Sequence, residues 1–375
     1  MGTKLGRHNA MPLYCLGICG LGHFAIDFGC AFTVLALHAH GAVAEQWYFT
    51  MIVAYNLLAF GSQALVGSLV DRWMGFAEGV GLGLALTAFG VALAVSQPFT
   101  ALAFLGCGNA IFHVSAGGVV YRAKPGRAGG PGIFVAPGGL GLVTGIVLGR
   151  QGAFSPLWIA PVLCMLAVCS YRLLYINKYS FIGTTSDEKL TREREAQVTV
   201  LPSQTAVLAL LLLVVALRSF AGFALPAPWK AGQGLWLLAA AAFAGKASGG
   251  FLADRFGWQP VCNWVLTAAA LLSLVHNISL PAACGALFCL QATTGVTLAG
   301  VQAIFPGKSA FAFGLPCLAL LVGALPFYLP EPLGPIPPVL LVGVGLVAAL
   351  SARVALTTNS KGDLTCTGDA PSVLR

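Results

Sequence analysis

Long apolar runs divide this chain into segments of the length that crosses a lipid bilayer. An α-helix needs about 20 mostly apolar residues to span the hydrocarbon core. Charged residues make up only 9% of the chain, whereas soluble proteins average about 25%. The composition therefore excludes a soluble globular domain and predicts an all-α membrane protein. The twelve runs that we assign as spans are 12–37, 47–70, 79–96, 98–121, 132–149, 153–175, 204–225, 231–252, 260–278, 281–304, 309–329 and 334–356.

A short polar motif occurs twice, each time between two of these runs. About half of the chain separates the copies, which indicates two homologous halves, as in transporters built from parallel repeats. The glycine lets two helices approach closely, and the Asp and Arg can pair or cap backbone groups at a helix end. We therefore interpret the motifs as conformational gates. Their residues are Gly67, Asp71 and Arg72 in the first copy and Gly250, Asp254 and Arg255 in the second.

This repeat predicts a domain organisation with two six-helix bundles around a central cavity. We assign the N-terminal bundle to 1–175 and the C-terminal bundle to 204–356. The longest break between apolar runs, 176–203, is rich in charged residues and is predicted to be a cytoplasmic linker. The polar segment 357–375 is predicted to be a disordered cytoplasmic tail.

Basic residues are distributed unevenly between the alternating connections. If the N-terminus is cytoplasmic, sixteen Lys and Arg residues fall in inner connections and only Arg150 and Lys230 in outer ones. The positive-inside rule then places both termini in the cytoplasm of a multi-pass plasma (inner) membrane protein. The basic residues are thus an orientation signal and not a nucleic-acid-binding surface. The connections are too short for an extramembrane domain, so we expect the protein to act within the lipid bilayer. We also expect it to be a monomer.

Ionisable side chains inside membrane spans are costly, so each is a candidate functional residue. Asp27 is the only acid well inside a span, and His23 lies one turn before it on the same helix face. Arg218 lies in the middle of the seventh run and keeps its charge at all accessible pH values. The remaining candidates are His113, Lys246 and the neutral residues Asn109, Gln291 and Gln302.

Each candidate has a structural alternative that the sequence leaves open. Asp27, with His23, is either a proton-coupling site or a structural acid paired permanently with Arg218 or His23. His113 either lines a substrate site or only hydrogen-bonds a neighbouring carbonyl group. Lys246 either contacts substrate or extends its ammonium group to the inner membrane face.

The sequence predicts neither a cofactor nor a metal site. Its 11 cysteines form no Cys-x-x-Cys pair and mostly fall inside apolar runs, so we interpret them as buried apolar side chains. A membrane enzyme would need clustered carboxylates or a metal-ligand set at a membrane face. The runs contain neither, and we therefore predict that the protein is not an enzyme.

Several motifs resemble those of a known family. The paired loop motifs resemble the signature of the major facilitator superfamily between its second and third, and its eighth and ninth, helices. Four segments resemble the fosmidomycin-resistance-type branch of that superfamily. They are His23-Phe-Ala-Ile-Asp27 in helix one, Gly108-Asn-Ala-Ile-Phe-His113 in helix four, Leu217-Arg218-Ser219 in helix seven and Gln302-Ala-Ile-Phe-Pro306 in helix ten. The similarity spans nearly the whole chain apart from the linker and tail.

The resemblance implies a transporter with the fold of that superfamily. It further implies efflux of a small, polar or anionic compound by antiport with protons. The residues that carry over to the central cavity are His23, Asp27, His113 and Arg218. Proton-coupled uptake of an organic anion by the same fold is the alternative, and a non-transporting membrane protein is a more distant one.

The chain departs from the branch pattern at two places. After His113 the family usually has Pro and an acid, whereas this chain has Val114 and Ser115. Asp27 is therefore left as the sole carboxylate candidate inside the membrane. In helix five, the segment 136–139 reads Ala-Pro-Gly-Gly and only partly resembles the Gly-Pro motif of antiporters.

Overall fold

The computed structural model describes residues 13–123, 125–181, 202–225, 229, 232–328, 333 and 335–361. Within them the chain forms fourteen α-helices, with a π-helical turn at Leu57–Gly61 and 3-10 turns at Pro156–Trp158 and Leu325–Tyr328. The helices are α1 Leu13–Ala39, α2 Glu45–Asn56, α3 Gln63–Trp73, α4 Phe76–Leu93, α5 Pro98–Ala123, α6 Gly129–Arg150, α7 Ile159–Phe181, α8 Pro202–Ala224, α9 Gly232–Phe256, α10 Trp258–Leu272, α11 Leu280–Ala292, α12 Thr294–Ile304, α13 Ser309–Ala324 and α14 Pro338–Lys361.

Eleven helical segments of this described part are long and apolar enough to cross a membrane. Two of these segments join consecutive helices: Glu45–Trp73 contains α2 and α3, and Leu280–Ile304 contains α11 and α12. The helix α10 is not among these membrane-spanning segments, because it has only 15 residues. The ninth predicted run continued to residue 278, but the helix ends at Leu272, residues 273–278 form turns and Ser279 caps the next helix.

Two helices continue past the predicted limits of the bundles. α7 ends at Phe181 and α14 ends at Lys361, whereas the sequence placed the limits at 175 and 356. The linker residues 182–201 and the tail residues 362–375 lie outside the described residues, and so does Lys230. The helix α8 begins at Pro202, two residues before the predicted start of the C-terminal bundle.

Gly257 alone connects α9 and α10 in the second loop motif. Its φ of 94° lies in the left-handed region, which only glycine adopts without strain. The corresponding Gly75 in the first motif has a φ of −75° and precedes α4 as an extended residue. Similar sequences therefore follow different backbone paths in the two copies.

Glycines let helices from opposite halves of the sequence approach closely. α3 packs on α13, where a Cβ atom at Gly67 would overlap the backbone of Ala310. α9 packs on α6 in the same manner, because a Cβ atom at Gly250 would overlap the backbone of Ala128. The two loop motifs thus each lie against a helix of the other half.

The buried apolar side chains form two main clusters that largely follow the halves of the sequence. One is drawn from residues 15–174 with four residues between 298 and 317. The other is drawn from 207–356 with Ala128. Many large apolar side chains point outward, among them Trp73, Ile278 and Val339. This outer surface is suited to contact with lipid.

Candidate functional site

Three ionisable side chains from two helices meet inside the fold. His23 and Asp27 lie one turn apart on α1, and His113 lies on α5. The Nε2 atoms of the two histidines are 2.8 Å apart. One Asp27 carboxylate oxygen lies 3.3 Å from Nε2 of His23, and the other lies 3.5 Å from Nε2 of His113. We call these three residues the His–Asp cluster.

Hydrogen bonds to the backbone fix the tautomers of both histidines. Nδ1 of His23 lies 3.0 Å from the carbonyl oxygen of Phe134, and Nδ1 of His113 lies 2.8 Å from that of Asn109. A carbonyl oxygen only accepts hydrogen bonds, so each Nδ1 carries a hydrogen and donates it. The side-chain amide of Asn109 also donates to the Asp27 carboxylate at 3.2 Å, which holds that group toward the two rings.

This arrangement calls for a positive charge between the two Nε2 atoms. If both histidines were neutral, each Nε2 would direct a lone pair at the other across 2.8 Å. A proton or another cation at this position removes that repulsion and offsets the negative charge of Asp27. The His–Asp cluster therefore has the geometry of a buried cation site.

The cluster is buried and its surroundings are largely apolar. Its three residues are each no more than 9% exposed. The rings of Phe112 and Phe134 pack against the ring of His23. On α6, a Cβ atom at Gly138 would overlap the His23 ring and lie 2.7 Å from an Asp27 oxygen. Glycine at this position lets α6 pack directly against the cluster, and the low polarity of the surroundings strengthens the electrostatic interactions within the cluster.

Two cations from the C-terminal half of the sequence lie beside this region. Arg218 on α8 is 2% exposed; its Nη1 donates to the hydroxyl of Thr294, and its Nε has no hydrogen-bond partner in the described part of the chain. Lys246 on α9 is partly buried, and its Nζ lies 3.4 Å from the position of a Cβ atom at Gly139. Among the described residues, no carboxylate lies within 4.0 Å of either cation.

The structure separates residues that the sequence allowed to pair. Asp27 contacts the two histidines and Asn109, whereas the recorded partner of Arg218 is Thr294. His113 does hydrogen-bond a neighbouring carbonyl group through Nδ1, and its Nε2 remains directed at the cluster. The hydrogen bond to a carbonyl group is therefore present, and Nε2 contacts His23 and Asp27.

The two predicted glutamines occupy different places. Gln291 lies beside the arginine, with its Oε1 3.4 Å from the Thr294 hydroxyl. Gln302 instead donates to the hydroxyl of Ser309 at 3.0 Å, at the beginning of α13. It therefore lies next to the gate contact described below and not among the residues around Asp27.

Each loop-motif aspartate caps the first turn of a helix from the other half. Asp71 accepts hydrogen bonds from the backbone nitrogens of Ala310 and Phe311 at 3.0 and 2.8 Å. Asp254 accepts from those of Ala128 and Gly129 at 2.9 and 3.0 Å. A carboxylate is favourable at a helix N-terminus because the unpaired backbone N–H groups carry partial positive charge.

The arginines of the motifs are oriented differently from the aspartates. Arg72 and Arg255 are both exposed, and the Arg72 guanidinium lies 5.2 Å from the ring centre of Trp73. The contacts between halves at the motifs are therefore made by the aspartates and glycines.

Sequence reasoning missed two residues of the site. Thr294 is a neutral side chain in an apolar run, and nothing in the sequence distinguishes it from other threonines. Gly138 was noted only as part of a partial antiporter motif. Two adjacent glycines following Pro137 inside a span were the available signal, since they leave two faces of one helix without side chains.

Comparisons with known proteins are informative only at the level of structure. No protein-family model matches the chain, and no curated protein matches it. The solved structure of FucP, a major facilitator superfamily transporter in the outward conformation, has a TM-score of 0.64 and 15% identity, covering 93% of this chain and 99% of that one. A variant of the E. coli fucose:proton symporter FucP gives 0.60 and 12%, covering 93% and 98%.

A bacterial homologue of the iron transporter ferroportin, in an outward-facing state, is also similar. Its TM-score is 0.64 at 16% identity, and the match covers 92% of this chain and all of the other, 100%. At such low identity the likeness concerns the fold alone. The chain therefore has the fold of major facilitator superfamily transporters.

Proposed function

We propose that this protein is a secondary active transporter that moves a small polar or anionic compound across the membrane by alternating access. One observation carries the proposal: the buried His–Asp cluster of one half lies beside two cations of the other half. Ionisable groups at this depth mark substrate and ion pathways. The fold of transporters supports this function and not that of an enzyme.

In this proposal twelve helices cross the membrane in two bundles, at 1–175 and 204–356. α10 is the ninth crossing; its 15 residues rise about 22 Å, and the turns that follow complete the passage. The repeated loop motif and the division of the apolar core into two main clusters support the two-bundle arrangement. The protein acts as a monomer.

The bias of basic residues supports a plasma (inner) membrane location with both termini in the cytoplasm. The loop motifs then lie at the cytoplasmic face. The contacts of Asp71 and Asp254 hold the halves together on that side, so substrate exchanges at the outer side in this conformation. The similar FucP and ferroportin-homologue structures are also outward-facing, which supports the same assignment.

The coupling ion in this proposal is a proton held by the His–Asp cluster. The facing Nε2 atoms supply the place for a hydrogen, and Asp27 supplies the negative charge that stabilises it. Asp27 and His23 lie on one helix, so movement of α1 changes both contacts together. The Asn109 amide keeps the carboxylate in position.

The substrate site in this proposal is formed around Arg218 and Lys246. Neither cation has a carboxylate partner in the described part of the chain, so an anionic or polar group of the substrate supplies the missing interaction. The planar guanidinium suits a carboxylate or phosphate group. Gln291 borders Arg218 through Thr294, and the proposal assigns His113 and Asn109 of the N-terminal half to the same site. Gln302 belongs with the gate because it contacts Ser309.

We propose efflux by antiport as the direction of transport, as the motif resemblance implies. Uptake by symport is the second candidate, and one observation favours it. The His–Asp cluster and the Arg218–Lys246 pair consist of different side chains, so a proton and a substrate can be bound at the same time. Simultaneous occupation is what symport requires.

Flux measurements in proteoliposomes test the function and its direction. Purified protein is reconstituted with a pH-sensitive dye inside the vesicles, and carboxylates and phosphate esters are added outside. We expect anion-dependent proton flux that disappears in Asp27→Asn and persists in His276→Gln, which alters a buried histidine hydrogen-bonded elsewhere. Protons that enter with the anion indicate symport, and protons that leave indicate antiport. Equal flux in wild type and Asp27→Asn would contradict the proposed mechanism.

A further inference from the structure

We propose that His23, Asp27 and His113 also form a binding site for a divalent transition-metal ion. These three residues are the only group within the described chain that offers at least three suitable donor atoms from His, Cys, Asp or Glu side chains close together. Their donor atoms all lie within 4.8 Å of one another. Ion binding is a property of the cluster itself and does not depend on transport; only its consequence for coupling rests on the proposed function.

The spacing of the donor atoms fits one ion. Zinc and similar ions bind imidazole nitrogen and carboxylate oxygen at about 2.0–2.2 Å, which places tetrahedral ligands about 3.4 Å apart. Here the Nε2–Nε2 distance is 2.8 Å, and the two nitrogen–oxygen distances are 3.3 and 3.5 Å. A small outward movement of one imidazole ring brings all three to ligand separation.

The groups behind the donors also match those of a metal site. Histidines that bind metals donate their second ring nitrogen to a carbonyl or carboxylate, which orients the ring and fixes the tautomer. Both histidines do so, to Phe134 and Asn109. The carboxylate of Asp27 is held by the Asn109 amide. The three donors thus come with their supporting hydrogen bonds already made.

The donor chemistry defines the class of ion. Two imidazole nitrogens with one carboxylate oxygen favour first-row transition metals such as zinc, iron(II) or cobalt(II). Calcium and magnesium prefer sites made entirely of oxygen ligands. A water molecule or an anion would have to complete the coordination from a side other than that of Gly138, because α6 packs directly against His23 and Asp27 there.

The ion and the coupling proton use the same lone pairs. A metal between the two Nε2 atoms would occupy the position that the proposed function assigns to the proton. The ion would therefore exclude that proton, and it would do so either as a transported cation or as an inhibitor. In both cases the ion must first bind to the protein, so binding can be tested on purified protein without a transport measurement.

Cobalt(II) provides a direct test with the protein purified without a polyhistidine tag. We expect one Co²⁺ per chain, with visible absorption bands of a site made of nitrogen and oxygen ligands. His23→Gln, His113→Gln and Asp27→Asn should each weaken binding at least tenfold. His276→Gln should bind as wild type does, and Asn109→Ala, which removes a supporting contact, should weaken binding about 10- to 100-fold.

X-ray absorption on the wild-type cobalt complex identifies the ligands directly, so this test does not depend on whether the variants fold. We expect two imidazoles and oxygen ligands and no sulfur. Failure of the wild-type protein to bind Co²⁺, binding that persists in all three cluster variants, or a sulfur ligand would overturn the proposed site. The outcome is independent of the flux assay: proton-coupled transport without metal binding refutes only this inference, and metal binding without transport refutes only the proposed function.

Discussion

Asp71 and Asp254 make the same contact in opposite directions: each carboxylate accepts two backbone N–H groups from the first turn of a helix in the other half. Each contact lies beside a glycine, Gly67 or Gly250, whose missing side chain lets the helices touch. The halves are therefore joined by two equivalent contacts on one side of the molecule, which we call latches. Opening of that side has to break four charge-assisted hydrogen bonds.

Removal of the charge from one latch should shift the conformational equilibrium. Asp71→Asn keeps an oxygen acceptor but loses the interaction of a negative charge with the helix N-terminus, which is worth about 1–2 kcal/mol in favourable geometry. We expect slower transport with expression and substrate binding largely preserved. Spin-label distances across the face that carries the loop motifs should report a larger open population, and Asp254→Asn should behave similarly. Loss of substrate binding would instead place Asp71 in the substrate site.

Arg218→Lys tests the assignment of the arginine to substrate. Lysine keeps the positive charge but lacks the planar fork that binds a carboxylate or phosphate through two hydrogen bonds. We expect at least tenfold weaker binding of an anionic substrate, with unchanged thermal stability in the absence of ligand. Ligand-induced thermal shifts of purified protein measure the difference. Wild-type affinity in this variant would show that Arg218 has a structural role through Thr294.

Asp27→Asn tests whether the coupling proton needs the negative charge of the carboxylate. The amide cannot stabilise a proton between the two Nε2 atoms by charge, so we expect loss of transport against a gradient driven by pH, with substrate binding and exchange retained. The comparison variants are His23→Gln and His113→Gln, measured in the same vesicles. If Asp27→Asn still accumulates substrate while both histidine variants fail, the histidines carry the proton and the aspartate only positions them.

Gly138→Ala tests the close packing of α6 against the His–Asp cluster. The added methyl group would overlap the His23 ring, and overpacking of this kind typically costs about 1–3 kcal/mol. We expect lower thermal stability together with loss of both proton-driven flux and Co²⁺ binding. Gly17→Ala on α1 is a matched control, since no atom lies within 4 Å of its Cβ position. Equal behaviour of the two variants would show that Gly138 has no special place in the site.

Cysteine labelling tests the orientation in the membrane. In a background without native cysteines, Pro125→Cys lies in the exposed connection before α6, and Ala44→Cys lies in the exposed connection before α2. The basic-residue bias predicts that an impermeant reagent added to intact cells labels position 44 only. Labelling of position 125 from outside would reverse the assigned orientation.

The sequence located the ionisable residues of the site but not their partners. His23 and Asp27 were predicted on one helix face because four residues make about one turn, and that spacing holds in the structure. The contact between His23 and His113 depends on the relative rotation of α1 and α5, which residue spacing in one helix does not specify. For the same reason Arg218 was considered as a partner of Asp27, whereas it contacts Thr294.

The gate residues show a similar division. The repeated motif placed Asp71 and Asp254 at helix ends, where the structure has them. Their acceptor roles could be anticipated from the exposed N–H groups at helix N-termini, but which helix each would cap could not. The fold class followed from the apolar runs, and eleven of the predicted spans have the required length among the described residues. The ninth ends early because residues 273–278, in which Ser273, His276 and Asn277 alternate with apolar residues, form turns.

Neighbouring glycines on α6 bring this one helix into contact with both proposed binding sites. Gly138 borders His23 and Asp27, and Gly139 borders the Lys246 ammonium group. Consecutive residues of an α-helix point about 100° apart, so a small rotation of α6 that tightens one contact loosens the other. In the proposed mechanism, binding of the ion can therefore affect binding of the substrate without direct contact between them and without a shared side chain. Rotation of α6 as a rigid helix couples the two sites.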